Sequence, residues 1–212
     1  AETPSMAPTD ASHLLVAVVR LGVGERLHSS GPHPGLLPKL FSLARAQLHT
    51  SYLPPADLTN LCVAATLLQI SKESASFLAA AVASLKGATL TTPPKDMVTR
   101  LLSLKAFDQR VQREAQDESE RSQQVTSVAE TLGPVTLGKV CRAVATGLAR
   151  RVSELDLVSS VVACEAFAYL LPLGGDRGRG AGKKSCLDGA ALRPLLTLVL
   201  QRLPGLSGPL VK

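Results

Sequence analysis

Pro54-Pro55-Ala56-Asp57-Leu58 is followed 39 residues later by Pro93-Pro94-Lys95-Asp96-Met97, and 40 residues after that by Gly133-Pro134-Val135-Thr136-Leu137. Each copy carries the chemistry of a helix start. Proline suits the first helical turn, where its missing N–H has no intrahelical partner to lose. A short polar residue follows (Asp57, Asp96, Thr136), whose oxygen can accept from free backbone N–H groups. The first apolar side chain comes next. A period near 40 residues predicts stacked helix pairs, each too small to bury its apolar face alone. The spacing predicts an all-α chain of antiparallel helix pairs, a short α-solenoid.

The columns of this alignment carry the same message. Leu58, Met97 and Leu137 coincide, as do Cys62, Leu101 and Cys141, and Ala65, Leu104 and Val144. They fall at i, i+4 and i+7, one face of a helix. The intervening column holds Leu61, Arg100 and Val140, apolar in two copies of three. Independent amphipathic helices would produce the same face. Cys62 and Cys141 occupy equivalent places, which suits small core side chains better than metal ligands.

Outward from the repeats, residues 1–9 read as a flexible arm. Asp10 is placed to cap a helix over Ala11–Leu21 that stops at Gly22, and a second helix fits Leu37–Thr50 after a Gly/Pro-rich loop. The three repeats place A helices at Pro55–Ile70, Pro94–Phe107 and Pro134–Arg151. The B helices are capped by Ser71 and Ser153 in the first and third copies. In the second copy, helix B opens on the run from Asp108 to Arg121, whose mixed signs read as a solvated face or a disordered bulge. The helical-repeat domain thus spans 10–173, a flexible basic loop 174–186, and a C-terminal helix with an irregular tail 187–212.

Of the 212 residues, 45% are hydrophobic but only 3% aromatic, with no Trp. Small aliphatic side chains suit closely packed helices rather than a large aromatic-lined ligand pocket. The net charge of +6 lies wholly in residues 134–212, which hold 11 Lys/Arg against 5 Asp/Glu. An excess of one sign on one portion of a chain points to a polyanionic partner, with a merely soluble basic surface as the competing reading. The four cysteines form no C-x-x-C pair, which favours a reducing compartment. No apolar run is long enough for a membrane span. The chain begins at Ala1, consistent with a removed leader or a fragment boundary.

Lys139, Arg142 and Arg150 share one face of the third A helix at 100° per residue, with Arg151 further round. Arg100 of the second repeat is placed to join that surface. Arg177, Arg179, Lys183 and Lys184 lie in the Gly-rich loop, whose flexible backbone would let them follow an irregular polyanion. The same loop lacks the spacing of a phosphate-binding loop: the residue five before Gly182 is Arg177, and no strand precedes it. None of the four histidines stands at i, i+4 with another His or with a Cys. No nucleophile elbow or Cys/His pair appears. No catalytic residue, metal, cofactor or small-molecule substrate is therefore expected.

The Pro-Pro-x-Asp-Leu opening, the 39–40-residue period and the Ala/Leu-rich paired helices over Pro54–Pro172 resemble organellar helical-repeat proteins of the octotricopeptide and RAP/FAST-kinase-like type. The third copy departs from the pattern with Gly133 and Thr136, and no RAP domain follows. The resemblance implies RNA binding in mitochondria or chloroplasts, and so a non-enzymatic, RNA-associated subunit of an organellar, here mitochondrial, ribonucleoprotein such as a ribosome or an RNA-processing complex. On this reading RNA phosphates are held by Lys139, Arg142, Arg150, Arg151, Arg177, Arg179, Lys183 and Lys184, beside other protein subunits. The alternative is a protein–protein adaptor that touches no RNA.

Overall fold

A computed structural model describes residues 7–22, 35–50, 53–68, 70–117, 127–173 and 189–202. Every regular element among them is helical: α1 Pro8–Arg20, α2 Leu36–Thr50, α3 Pro55–Leu67, α4 Lys72–Ala83, α5 Leu85–Ala88, α6 Pro94–Asp117, α7 Val128–Leu132, α8 Pro134–Arg150, α9 Leu157–Leu173 and α10 Gly189–Arg202. A 3₁₀ turn at Val152–Glu154 precedes α9. The chain is all-α, as the repeat spacing predicts.

The quoted motif starts helices in all three places. Pro55, Pro94 and Pro134 open α3, α6 and α8. The departure of the third copy has a local reason. Gly133 stands at φ 72°, a left-handed conformation that a proline cannot adopt and that costs other side chains strain. All twelve residues in the aligned columns are buried, Arg100 included, at 2% exposure. Arg100 therefore does not join a surface with the basic residues of α8.

The second copy departs from a helix pair. Instead of a turn near Phe107, α6 runs unbroken for 24 residues. No Gly or Pro interrupts it, and Phe107 and Val111 continue its buried face. Asp108 and Arg110, expected in a solvated run, turn inward: Asp108 is 1% exposed, and Arg110 donates to the carbonyls of Thr66 and Leu68 at 2.9 and 2.8 Å. Arg110 thereby satisfies carbonyls that the end of α3 leaves without helical partners, and α3 ends at Leu67 rather than Ile70. Gln112–Gln116 are exposed, so part of the run is the solvated face expected.

Helix starts also differ in detail. α1 begins at Pro8, which puts Asp10 in the first turn rather than at the cap. Ser71 caps α4 as expected. Its Oγ accepts from the Ser74 N–H at 3.1 Å, and the Ser74 Oγ accepts from the Ser71 N–H at 2.9 Å, a reciprocal box in which serine takes the place of the usual Glu. At α9 the cap is Asp156, not Ser153: its carboxylate accepts from the Ser159 N–H at 2.6 Å.

The chain divides into two compact units, Ala1–Val82 with Ser103–Leu132, and Ala83–Leu102 with Gly133–Lys212. In the first, α1 packs on α2 and α3 over a core that includes Leu15, Leu40, Phe41, Leu61 and Phe77. The Phe41 and Phe77 rings lie 5.8 Å apart at 43°, within the favourable range for a tilted aromatic pair. In the second, α8 packs on α5, α9 and α10, and α9 on α10. Its core includes Met97, Leu137, Val144, Leu148, Phe167 and Leu170.

Candidate nucleic-acid interface

The second unit positions the basic residues of α8. One side of this helix buries Leu137, Val140, Cys141, Val144, Ala145 and Leu148. It approaches its neighbour closely through Gly147, where a Cβ would lie 2.9 Å from the Cβ of Thr89. The opposite side is a continuous exposed stripe of Val135, Lys139, Arg142, Thr146 and Arg150. These positions fall within about 80° of arc at 100° per residue. Lys139 and Arg150 are roughly 16 Å apart along the axis at 1.5 Å per residue. Three of the predicted cations thus share one solvent-facing stripe that contains no acidic residue.

Arg151 is engaged elsewhere. It follows the last residue of α8. Its Nε and one terminal nitrogen donate to the Glu154 carboxylate at 2.8 and 2.7 Å. The other terminal nitrogen donates to the Thr92 carbonyl at 2.8 Å and to that of Leu90 at 3.4 Å. The bidentate pairing with Glu154 raises the Arg151 pKa further, and the same guanidinium holds Glu154 below the ordinary carboxylate range. The guanidinium fork therefore fastens the end of α8 to the segment after α5 and is locally neutralised. Arg177, Arg179, Lys183 and Lys184, and the whole 174–186 loop, lie outside the described residues.

In the same unit, α9 presents Val158, Val161, Glu165, Ala168 and Pro172 to solvent. Val158 is 71% and Val161 41% exposed, so the first turns of the helix carry apolar side chains on the outer side as well as the inner one.

The cysteines at equivalent repeat positions are both in the core at 0% exposure. Burial pushes the Cys141 thiol up to about 12, far from the thiolate that a nucleophile or metal ligand requires. Among the described residues no cluster of three or more His, Cys, Asp or Glu side chains could hold a metal ion. No described helix is long and apolar enough to cross a membrane.

Two features of the first unit escaped the sequence reading. The Asp108 carboxylate is one: Oδ1 accepts from the Val128 N–H at 2.9 Å, while Oδ2 is buried without a hydrogen-bond partner. Burial raises its pKa, against the lowering effect of the Val128 and Ala129 N–H groups, and Glu130 adds to the rise. The other is a cleft of about 490 Å³ formed by α1, α2 and α3. The scarcity of aromatic residues argued against such a cleft, but aliphatic side chains line this one. Position 47 continues the apolar spacing of Leu40 and Ala44, which was the available signal for a buried Gln47 on that wall.

No family model, no curated protein and no solved structure matches this chain.

Proposed function

We propose that this chain is a non-enzymatic, RNA-associated helical-repeat subunit of an organellar, mitochondrial ribonucleoprotein particle. The observation that carries the proposal is the exposed stripe of Lys139, Arg142 and Arg150, with no acidic residue among its members, in the portion of the chain that holds the entire net charge of +6. The helix starts at Pro55, Pro94 and Pro134 add support through their repeat spacing. Three cations spread over roughly 16 Å of a rigid helix suit successive phosphates of one strand. Such contacts position a nucleic acid and do not read its sequence. Arg177, Arg179, Lys183 and Lys184 extend the basic region in sequence. Arg151 contributes by anchoring the end of α8.

Titration of a single-stranded RNA oligonucleotide against salt tests this. Replacing Lys139, Arg142 and Arg150 together with Ala should weaken binding and reduce the log–log salt slope by about 2, from roughly 0.7 per phosphate lost on a single strand. An unchanged slope would refute the assignment.

A second reading, an adaptor between protein subunits, is favoured by the outward-facing Val158 and Val161 on α9. Exposed apolar surface of this kind marks contact sites when it is contiguous. Under it, a protein partner would stay bound after nuclease treatment, and the triple variant would leave that complex intact.

A further inference from the structure

We propose that Thr146, within the exposed stripe of α8, accepts a hydrogen bond from a ribose 2′-hydroxyl and so gives that stripe a preference for RNA over DNA. The proposal rests on the reading of the stripe as a nucleic-acid contact, and names the group in it that tells one nucleic acid from the other.

Lys139, Arg142 and Arg150 do not make that distinction. Each meets phosphate, which RNA and DNA share. Stacking on aromatic rings is the common way to hold unpaired bases. No member of the stripe is aromatic, the chain has no Trp, and Phe41, Phe77, Phe107 and Phe167 all lie in the core at 0% exposure. The stripe therefore meets the sugar–phosphate backbone. There the difference between RNA and DNA is the 2′-OH, which donates as well as accepts. Lys and Arg side chains only donate, so the 2′-OH proton needs another partner.

Thr146 has the position and the hydrogen-bonding state for that role. It is the one uncharged polar residue among Val135, Lys139, Arg142, Thr146 and Arg150, and it is exposed. Arg142 and Arg150 flank it at i−4 and i+4, about 6 Å away along the axis on either side and turned about 40° to either side. A nucleic-acid strand alternates phosphate and ribose, so a residue midway between two phosphate-binding cations faces the sugar. The Thr146 Oγ1 donates to the Arg142 carbonyl at 2.9 Å. Its single proton is thereby used within the helix, and the lone pairs of the oxygen are what it turns to a ligand. A phosphate oxygen, itself an acceptor, finds no donor in that hydroxyl. A 2′-OH finds an acceptor.

Fluorescence-anisotropy titration of the full chain with one alternating A/C oligonucleotide, made as RNA, as DNA and as 2′-O-methyl RNA, tests the assignment. The 2′-O-methyl form keeps the sugar pucker of RNA and lacks the hydroxyl proton. The parent chain should bind RNA about 2–10-fold more tightly than either other form, the range of one net hydrogen bond. Thr146→Val, which keeps the branched shape without the hydroxyl, should weaken RNA by that factor and leave DNA and 2′-O-methyl RNA unchanged. Thr146→Ser should retain the preference. Equal binding of RNA and 2′-O-methyl RNA by the parent chain, or an undiminished RNA preference in Thr146→Val, would overturn the proposal. The comparison of oligonucleotides on the parent chain needs no variant to fold, and thermal melting checks those that are made. If the Lys139, Arg142 and Arg150 triple variant leaves the salt slope unchanged, the nucleic-acid reading itself falls and this proposal with it. If the triple variant lowers the slope while the three oligonucleotides bind alike, only the role of Thr146 is overturned.

Discussion

Asp108 offers the sharpest test of how the first unit is held together. Its Oδ1 accepts from the Val128 N–H at 2.9 Å, and so caps α7, twenty residues further along the chain. Its Oδ2 has no partner, and the residue is 1% exposed. Two opposing terms meet here. Losing the acceptor strands a buried N–H, which costs about 1–3 kcal/mol. Keeping a negative charge in this place carries a desolvation cost, the largest influence on the Asp108 pKa, which stands above its ordinary value. Asp108→Asn retains an acceptor oxygen and removes the charge, whereas Asp108→Ala removes both. At neutral pH the Ala variant should therefore be less stable than the Asn variant by about 1–3 kcal/mol. That corresponds to roughly 2–12 °C in melting temperature for a chain of this size.

The pH dependence follows from the same shift. A carboxyl group whose pKa is raised on folding binds its proton more tightly in the folded state. Its contribution to stability is thus fully present below the unfolded pKa, near 3.9, and is lost as pH rises toward the folded value. Other carboxylates titrate in the same window, so the informative quantity is the difference between Asp108→Asn and the parent chain. Urea unfolding at a series of pH values from about 3.5 to 7.5 should show the advantage of the Asn variant growing as pH rises. A difference that stays flat, or that shrinks with rising pH, would refute the argument that desolvation dominates at this site.

Gly147→Ala places a Cβ 2.9 Å from the Thr89 Cβ. The overpacking cost of about 1–3 kcal/mol should exceed the helix-propensity gain of roughly 1 kcal/mol, so denaturant unfolding should show a net loss. Ser71→Ala removes the acceptor for the Ser74 N–H and should cost about 0.5–2 kcal/mol in the same assay. Cys141, with its thiol pushed up to about 12, should resist iodoacetamide in the folded chain at pH 8, as mass mapping of the alkylated peptides would show. Arg151→Ala should lower the melting temperature by releasing Glu154 and the Thr92 carbonyl, yet weaken RNA binding less than Arg142→Ala or Arg150→Ala in a filter-binding titration.

Helix starts at Pro55, Pro94 and Pro134 were the most legible feature of this chain, because proline suits the first turn, a local signal. The aligned apolar columns were legible for a related reason: a buried face repeats at i, i+4 and i+7 wherever a helix has one. The joint between helices was less so. The change from apolar to charged residues at Asp108 looks like the end of one helix and the start of another. Nothing in that stretch breaks a helix, however, and α6 continues through it. Composition marks where water meets a helix and does not by itself mark where the helix stops.

The same distinction separates the parts of the candidate sites that could be read from those that could not. Lys139, Arg142 and Arg150 reach solvent because their spacing keeps them opposite the buried face of α8, a matter of one helix alone. Arg100 and Arg151 are equally basic in the sequence, yet one is buried in its core column and the other is held by Glu154 and two backbone carbonyls. Those outcomes depend on partners roughly sixty residues away in the case of Leu90 and Thr92, which no periodicity contains. Gln47 and Asp108 carry the point further. Each is a polar residue at a position where helical spacing demands an apolar one; Asp108 Oδ2 is buried without a hydrogen-bond partner, whereas Gln47 Oε1 accepts from the Ser12 hydroxyl. A polar side chain in an apolar register is thus a legible departure even where its partner is not. In Asp108 the departure caps a helix at an electrostatic cost, and in Gln47 it ties α2 to α1 through Ser12.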